Sequence, residues 1–265
     1  MLWLRHWLLA LQFFTRVPVT GRLADWVGYS PAMLRASAAH FPGIGLLVGL
    51  LGAGVAVGLL VLMPAGPFAP LVAAVLSTIA TILFTGALHE DGLADVADGL
   101  GGSFDRQRAL EIMKDSRVGS YGALAVALAL AAKVSLLAQL GSANVRTLAV
   151  GLVLAHVLSR AWPLVLIRWL PYVGDDHGTK SKPMADAISA ATLAGGLLWV
   201  LVVCVGVLAL QGAAFLVAPM LASALALAWM ARLFSRRLQG FTGDCLGATQ
   251  QVCEIACYLG VALVA

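Results

Sequence analysis

Runs of about 20 consecutive apolar residues, the length that crosses a bilayer as a helix, recur along the whole chain. Inside hydrocarbon every backbone N–H and C=O must be satisfied by the protein itself, so such runs can only be packed helices. They fall at roughly 43–63, 68–88, 118–140, 147–170, 187–210, 212–231 and 246–265. This predicts one all-α, polytopic membrane domain over residues 1–265 with about seven transmembrane helices. Composition agrees, with 61% of residues hydrophobic and 11% charged, outside the usual range of soluble globular chains.

The first 20 residues differ from these runs. Trp3, Trp7, Leu11 and Phe14 stand at i, i+4, i+8 and i+11, with Arg5, His6 and Gln12 off that stripe. A signal peptide is the alternative, but no small-residue cleavage site follows, and Thr15-Arg16-Val17-Pro18 ends the run with a charge. The pattern predicts a retained helix lying in the membrane interface.

Basic residues alternate between the polar gaps. Arg5, Arg16, Arg22 and Arg35 precede the first span, and none lies in 64–67. Arg106, Arg108, Lys114 and Arg117 fill 89–117, and Arg146 stands alone in the next gap. Arg168, Lys180 and Lys182 flank 171–186, none sits at 211, and Arg232, Arg236 and Arg237 fill 232–245. The positive-inside rule then places the N-terminus and the three large polar loops in the cytoplasm. The net charge of +4 therefore reads as membrane topology and not as a nucleic-acid patch. Cys204, Cys245, Cys253 and Cys257 lie in or beside apolar runs without histidines to complete a zinc set, and read as buried thiols.

Seven of the thirteen acidic residues fall between positions 90 and 115. On a helix, Asp91, Asp95 and Asp98 would lie within about 60° of one another, a stripe of carboxylates beside Glu90. Such a row repels itself unless a cation compensates, and hard oxygen ligands suit Mg²⁺ or Mn²⁺. A solvated acidic face on a connecting loop is the plain alternative. Ser103 would cap a short helix running to Met113. Lys114 and Arg117 follow, with small residues and Ser120 opening the third span, an arrangement suited to an anion at a helix N-terminus. They could equally be topological anchors. Near the end, Thr242 or Asp244 would cap the last span, and Asp244 could join the acidic site. His89 is a candidate base or ligand, or a hydrogen-bonded interfacial histidine. The segment with Asp175, Asp176, His177, Lys180 and Lys182 reads as a substrate-facing loop or a linker. Arg160 and Glu254 sit at matched depth, about 15 and 12 Å from the same side by helical rise, and an ion pair between them is the simplest solution.

No H-E-x-x-H zinc motif, P-loop or G-x-S-x-G elbow stands in a suitable context. A carboxylate row beside a basic anion site points to metal-assisted transfer of a phosphorylated group, with one carboxylate taking a proton from an attacking hydroxyl.

The run Leu88-His89-Glu90-Asp91-Gly92-Leu93-Ala94-Asp95 to Asp98-Gly99 resembles the signature of the adenosylcobinamide-GDP ribazoletransferase family, also called cobalamin (5′-phosphate) synthase. So do Phe14 to Pro18, Ile112 to Gly122, Ser159-Arg160, Leu170-Pro171-Tyr172, and Thr242 to Ala248 with Glu254. The resemblance implies a multi-pass bacterial inner-membrane enzyme whose active-site loops face the cytoplasm. It implies that adenosylcobinamide-GDP is joined to α-ribazole or its 5′-phosphate with release of GMP and with Mg²⁺ as cofactor. Glu90, Asp91, Asp95 and Asp98 would then be the catalytic and metal-binding acids. Arg16, Lys114, Arg117, Ser120 and Asp244 would meet substrate phosphate. Beyond its substrates the expected partner is membrane lipid, with a homo-oligomer left open. A CDP-alcohol phosphotransferase-like enzyme shares Asp95-Val96-Ala97-Asp98-Gly99 but lacks the residues that should follow, and a transporter would place its charges at mid-bilayer.

Overall fold

The computed structural model describes residues 1–174 and 188–265. Asp175, Asp176, His177, Lys180 and Lys182 therefore lie outside the described residues. The N-terminal helix is present as α1 (Leu2–Phe14), followed by two short helices, α2 (Gly21–Val27) and α3 (Pro31–Ser37). Ser30 caps α3 through Met33 N–H, and a 3₁₀ turn at Ala38–His40 leads into α4 (Phe41–Leu62). The long apolar runs become α5 (Ala69–Thr85), α8 (Ser120–Ala143), α9 (Val145–Trp169), α10 (Ala190–Gln211), α11 (Ala214–Arg237) and α12 (Gly243–Ala262). Between α5 and α8 lie α6 (Leu88–Gly102) and α7 (Arg106–Ile112). No strand forms among the described residues; an isolated bridge joins Tyr172 to Phe241.

Five stretches are long and apolar enough to cross a membrane: Pro31–Leu62, α8, α9, α10 and α11. A sixth counts only if α5 and α6, bent by 90° at their junction, are taken as one broken span. The sequence-expected seventh, α12, is less apolar because Thr249, Gln250, Gln251 and Glu254 lie along it, all buried. It hides this polar row by packing against α6, α8, α9 and α11. The centre of the bundle is α9, with 78% of its most apolar stretch buried against 17% for α8 and for α10. It is clasped by α4 and α12, which keeps His156, Ser159 and Arg160 of α9 buried and away from lipid.

One end of the bundle is tied together by polar links. Arg16 N–H donates to Phe84 O at the end of α5 (2.8 Å), and Phe241 N–H to Pro171 O (2.9 Å). Arg237, at the end of α11, donates to Leu100 O (3.1 Å) and Ser103 O (2.7 Å), while Arg106 reaches Leu238 O (2.7 Å). Two arginines read from sequence as topological charges thus satisfy carbonyls that helix ends leave without partners. The cap of α7 is Asp105, which accepts from Arg108 N–H at 2.8 Å, and not Ser103. The reason is that α6 continues through Gly101-Gly102 and uses Ser103 as its own C-cap.

Candidate active site

The break before α6 places the acidic row. Gly86 closes α5 in the left-handed region (φ +70°), and Ala87 follows at φ +59°, so the chain turns by 90°. For an alanine that conformation costs about 1 kcal/mol, held here by the flanking helices. Helix α6 then lies across the N-terminal ends of α8 and α12, outside the five spanning stretches. Its contact with α12 is close enough that a Cβ on Gly92 would stand 2.8 Å from Asp244 O.

The expected stripe forms on α6 and runs inward: Asp91 is exposed, Asp95 half-buried and Asp98 buried. Asp98 is held by the N-terminus of α8, accepting from Gly119 N–H (2.7 Å) and Gly122 N–H (2.8 Å). It serves as a cap supplied from a neighbouring helix, where free N–H groups and the helix dipole favour a carboxylate. Asp95 has no such relief. Burial, then the charges of Asp244, Asp91 and Asp98, push its pKa from 3.8 up to about 7. Glu90 leaves the row and turns into the bundle, accepting from Gln251 Nε2 at 3.0 Å.

Asp91 and Asp244 open onto a cavity of about 1130 Å³ between α1 and the α6–α12 contact. Arg16, His89, Arg160 and Gln250 join them on its polar side. Arg16 lies over Gly86, its guanidinium occupying the space a Cβ would need. The other expected anion residues stand apart from this cavity. Arg117 pairs in solvent with Asp115 at 2.5 Å, and its hydrogen bonds pull that carboxyl down to about 2. Lys114 is exposed in the turn after α7, and Ser120 is exposed at the start of α8, next to the Gly119 that holds Asp98. Thr242 caps α12 by accepting from Cys245 N–H (3.4 Å), which leaves Asp244 free of the capping role. The four cysteines are free thiols, three of them buried.

Beneath the row lies a buried polar network that the sequence reading largely missed. Lys133 of α8 forms an ion pair with Glu254 of α12 at 2.6 Å. Tyr258 hydroxyl (3.1 Å) and Gln250 Nε2 (2.5 Å) also donate to Glu254, and Gln250 continues to Ser159 Oγ (3.0 Å) and Gln251. Through Gln251 the chain ends on Glu90. The expected Arg160–Glu254 pair is corrected: Arg160 Nη1 lies 3.0 Å from His156 Nδ1 and 3.2 Å from His156 O. His156, one turn earlier on α9, stands between the two, with its Nδ1 3.3 Å from Glu254. The only signal for Lys133 was a single charge within an otherwise apolar run, which needs a buried partner.

Among the described residues no three His, Cys, Asp or Glu side chains are drawn together as a ready cage for an ion. The fit to a divalent metal is one of donor chemistry: hard carboxylate oxygens of Asp91, Asp95 and Asp244, close enough to raise Asp95, are what such a cation relieves.

Fold and site define a polytopic α-helical membrane protein with a cavity at one end of its bundle that carries both carboxylates and guanidinium groups. The chain belongs to the cobalamin-5-phosphate synthase family, whose model matches residues 6–262. It is 58% identical over 274 residues to the adenosylcobinamide-GDP ribazoletransferase of Albidiferax ferrireducens, covering 98% of each chain. Identity to the enzyme of that name from Polaromonas sp. strain JS666 is 59%, over 98% of this chain and 96% of the relative. To that of Shewanella amazonensis it is 44%, over 97% and 94%. No solved structure matches the chain. This membership decides among the three readings of the sequence in favour of the ribazoletransferase one.

Proposed function

We propose that this chain is a Mg²⁺-dependent transferase that joins adenosylcobinamide-GDP to α-ribazole or α-ribazole 5′-phosphate and releases GMP. The observation that carries it is the cavity lined together by Asp91, Asp244, Arg16 and Arg160, in a chain of that family. In the reaction the ribazole hydroxyl forms a new O–P bond at the phosphate attached to the corrinoid side chain. The bond to the GMP oxygen breaks, and the hydroxyl proton passes to a carboxylate.

Asp91, exposed to the cavity, and Asp95, whose raised pKa suits proton uptake near neutrality, are the acids for that proton. Arg16 and Arg160 offset charge on the transferred phosphoryl group. Lys114, Arg117 and Ser120, exposed around the start of α8, meet the part of the donor that stays outside the cavity. Asp98 keeps that N-terminus against α6, and Glu90 anchors α6 to the buried network. Asp91, Asp95 and Asp244 would hold Mg²⁺, which when bound neutralises the phosphoryl oxygens.

The alternation of basic gaps supports an inner-membrane orientation with this end of the bundle facing the cytoplasm. Purified protein in lipid nanodiscs, given adenosylcobinamide-GDP, Mg²⁺ and either ribazole form, should release one GMP for each corrinoid product formed. No GMP with either acceptor refutes the assignment.

A further inference from the structure

The cavity has two unlike walls. One carries Arg16, Asp91, Arg160 and Asp244. The other is mainly aromatic and aliphatic, built from Leu9, Phe13 and Phe14 of α1, with Gln12 among them, together with Tyr29, Leu34 and Phe41. Phe14 joins the two: it meets Phe41 edge-on at 3.8 Å between centroids and lies parallel to His89 at 6.4 Å and 18°. The aromatic wall is held against the acidic row by the backbone link from Arg16 to Phe84. An apolar pocket with a few charges converging on one side is the usual form of a small-molecule site.

At about 1130 Å³ the cavity has ample room for a nucleoside, whereas a corrin macrocycle carrying adenosyl and guanosine diphosphate groups can enter it only in part. The acceptor is a ribose bearing a flat, methylated, weakly polar heteroaromatic base, and it carries an apolar face and a polar face in the same order as the two walls.

We infer that this cavity is the acceptor subsite: the N-terminal segment binds the base of ribazole through Phe13, Phe14, Phe41 and Tyr29, and so directs the ribose hydroxyl toward Asp91. The donor then approaches from the rim with its diphosphate foremost. This inference rests on the proposed reaction and adds to it a specificity role for the first 41 residues. Aromatic side chains stack on any planar base, but a wall with few polar groups leaves a polar base's donors and acceptors unpaired, which a weakly polar base tolerates better.

The test is equilibrium binding of α-ribazole to the full-length protein in detergent, without donor, alongside steady-state kinetics. Phe13→Ala and Tyr29→Ala should each weaken α-ribazole binding about tenfold and raise its KM, with the KM for adenosylcobinamide-GDP unchanged. Tyr29 is 67% exposed, so its replacement leaves the fold intact. Free 5,6-dimethylbenzimidazole should compete with α-ribazole and not with the donor. A wild type that turns over, with α-ribazole affinity unaltered in both variants or with the donor KM rising instead, overturns the subsite alone. A wild type that does not turn over fails the reaction itself and takes the subsite with it.

Discussion

Lys133 Nζ and Glu254 Oε1 lie 2.6 Å apart in the middle of the bundle, with their side chains 2% and 1% exposed. Neither charge reaches water, so each is tolerable only because of the other and of the amide, hydroxyl and imidazole groups around them. Removing one partner leaves an uncompensated buried charge, which costs about 3–5 kcal/mol. Lys133→Met should therefore destabilise the protein severely in thermal or denaturant unfolding. Lys133→Met with Glu254→Gln should recover most of that loss. Arg160→Met paired with Glu254→Gln should show the smaller coupling, because His156 stands between those side chains. Equal coupling in the two cycles would contradict the pairing seen here.

Asp91 and Asp98 occupy the same helical stripe but different surroundings, and their substitutions should separate. Asp98 holds two backbone N–H groups at the start of α8, so Asp98→Ala should cost about 1–2 kcal/mol of stability, as loss of a helix cap does. Asp91 is exposed to the cavity. Asp91→Asn should leave unfolding within about 0.5 kcal/mol of wild type while turnover falls at least ~10²-fold. Near-normal turnover in Asp91→Asn at saturating Mg²⁺ would remove it from the chemistry.

Asp95 gives a pH signature. Its pKa rises to about 7 from 3.8, first through burial and then through its acidic neighbours. With the folded-state value raised, the protonated form favours folding. That contribution is fully present below pH about 4 and is lost as pH rises through about 7. A divalent cation competes for the same group, so Mg²⁺ binding at pH 6 should release close to one proton and at pH 8.5 almost none. Calorimetry in buffers of different ionisation heat reads this directly, and Asp95→Asn should abolish the difference. Proton release independent of pH would exclude Asp95 from the ion's surroundings.

The helices were legible because a run of apolar residues must be as long as the bilayer is thick. The expected 118–140 is Ser120–Ala143, and 43–63 is Phe41–Leu62. The acidic stripe was equally legible, since helical spacing alone puts Asp91, Asp95 and Asp98 on one face. What the pattern does not carry is which partner a buried charge finds. Arg160 and Glu254 have matched depth, but depth fixes one coordinate of three, and Lys133 approaches Glu254 from another helix. The cavity is hidden for a similar reason. Phe14 and His89 are 75 positions apart in the chain, and no local spacing announces that they stack.

The closeness of α6 to α12 should control activity without touching a charged group. A Cβ at Gly92 would sit 2.8 Å from Asp244 O and 3.1 Å from Asp244 Cα, and backbone cannot swing aside as a side chain can. Gly92→Ala must push the helices apart, which costs about 1–3 kcal/mol as overpacking does. The same movement separates Asp91 and Asp95 from Asp244, and misplacement on the order of 1 Å can lower turnover by ~10²-fold. Gly54 of α4 provides the control, because a Cβ there meets nothing within 4 Å. Gly54→Ala should raise stability by about 0.5–1 kcal/mol, the usual gain for alanine over glycine inside a helix, with turnover unchanged. If Gly92→Ala behaves like Gly54→Ala in both unfolding and GMP release, the tight crossing is not what positions the acidic row.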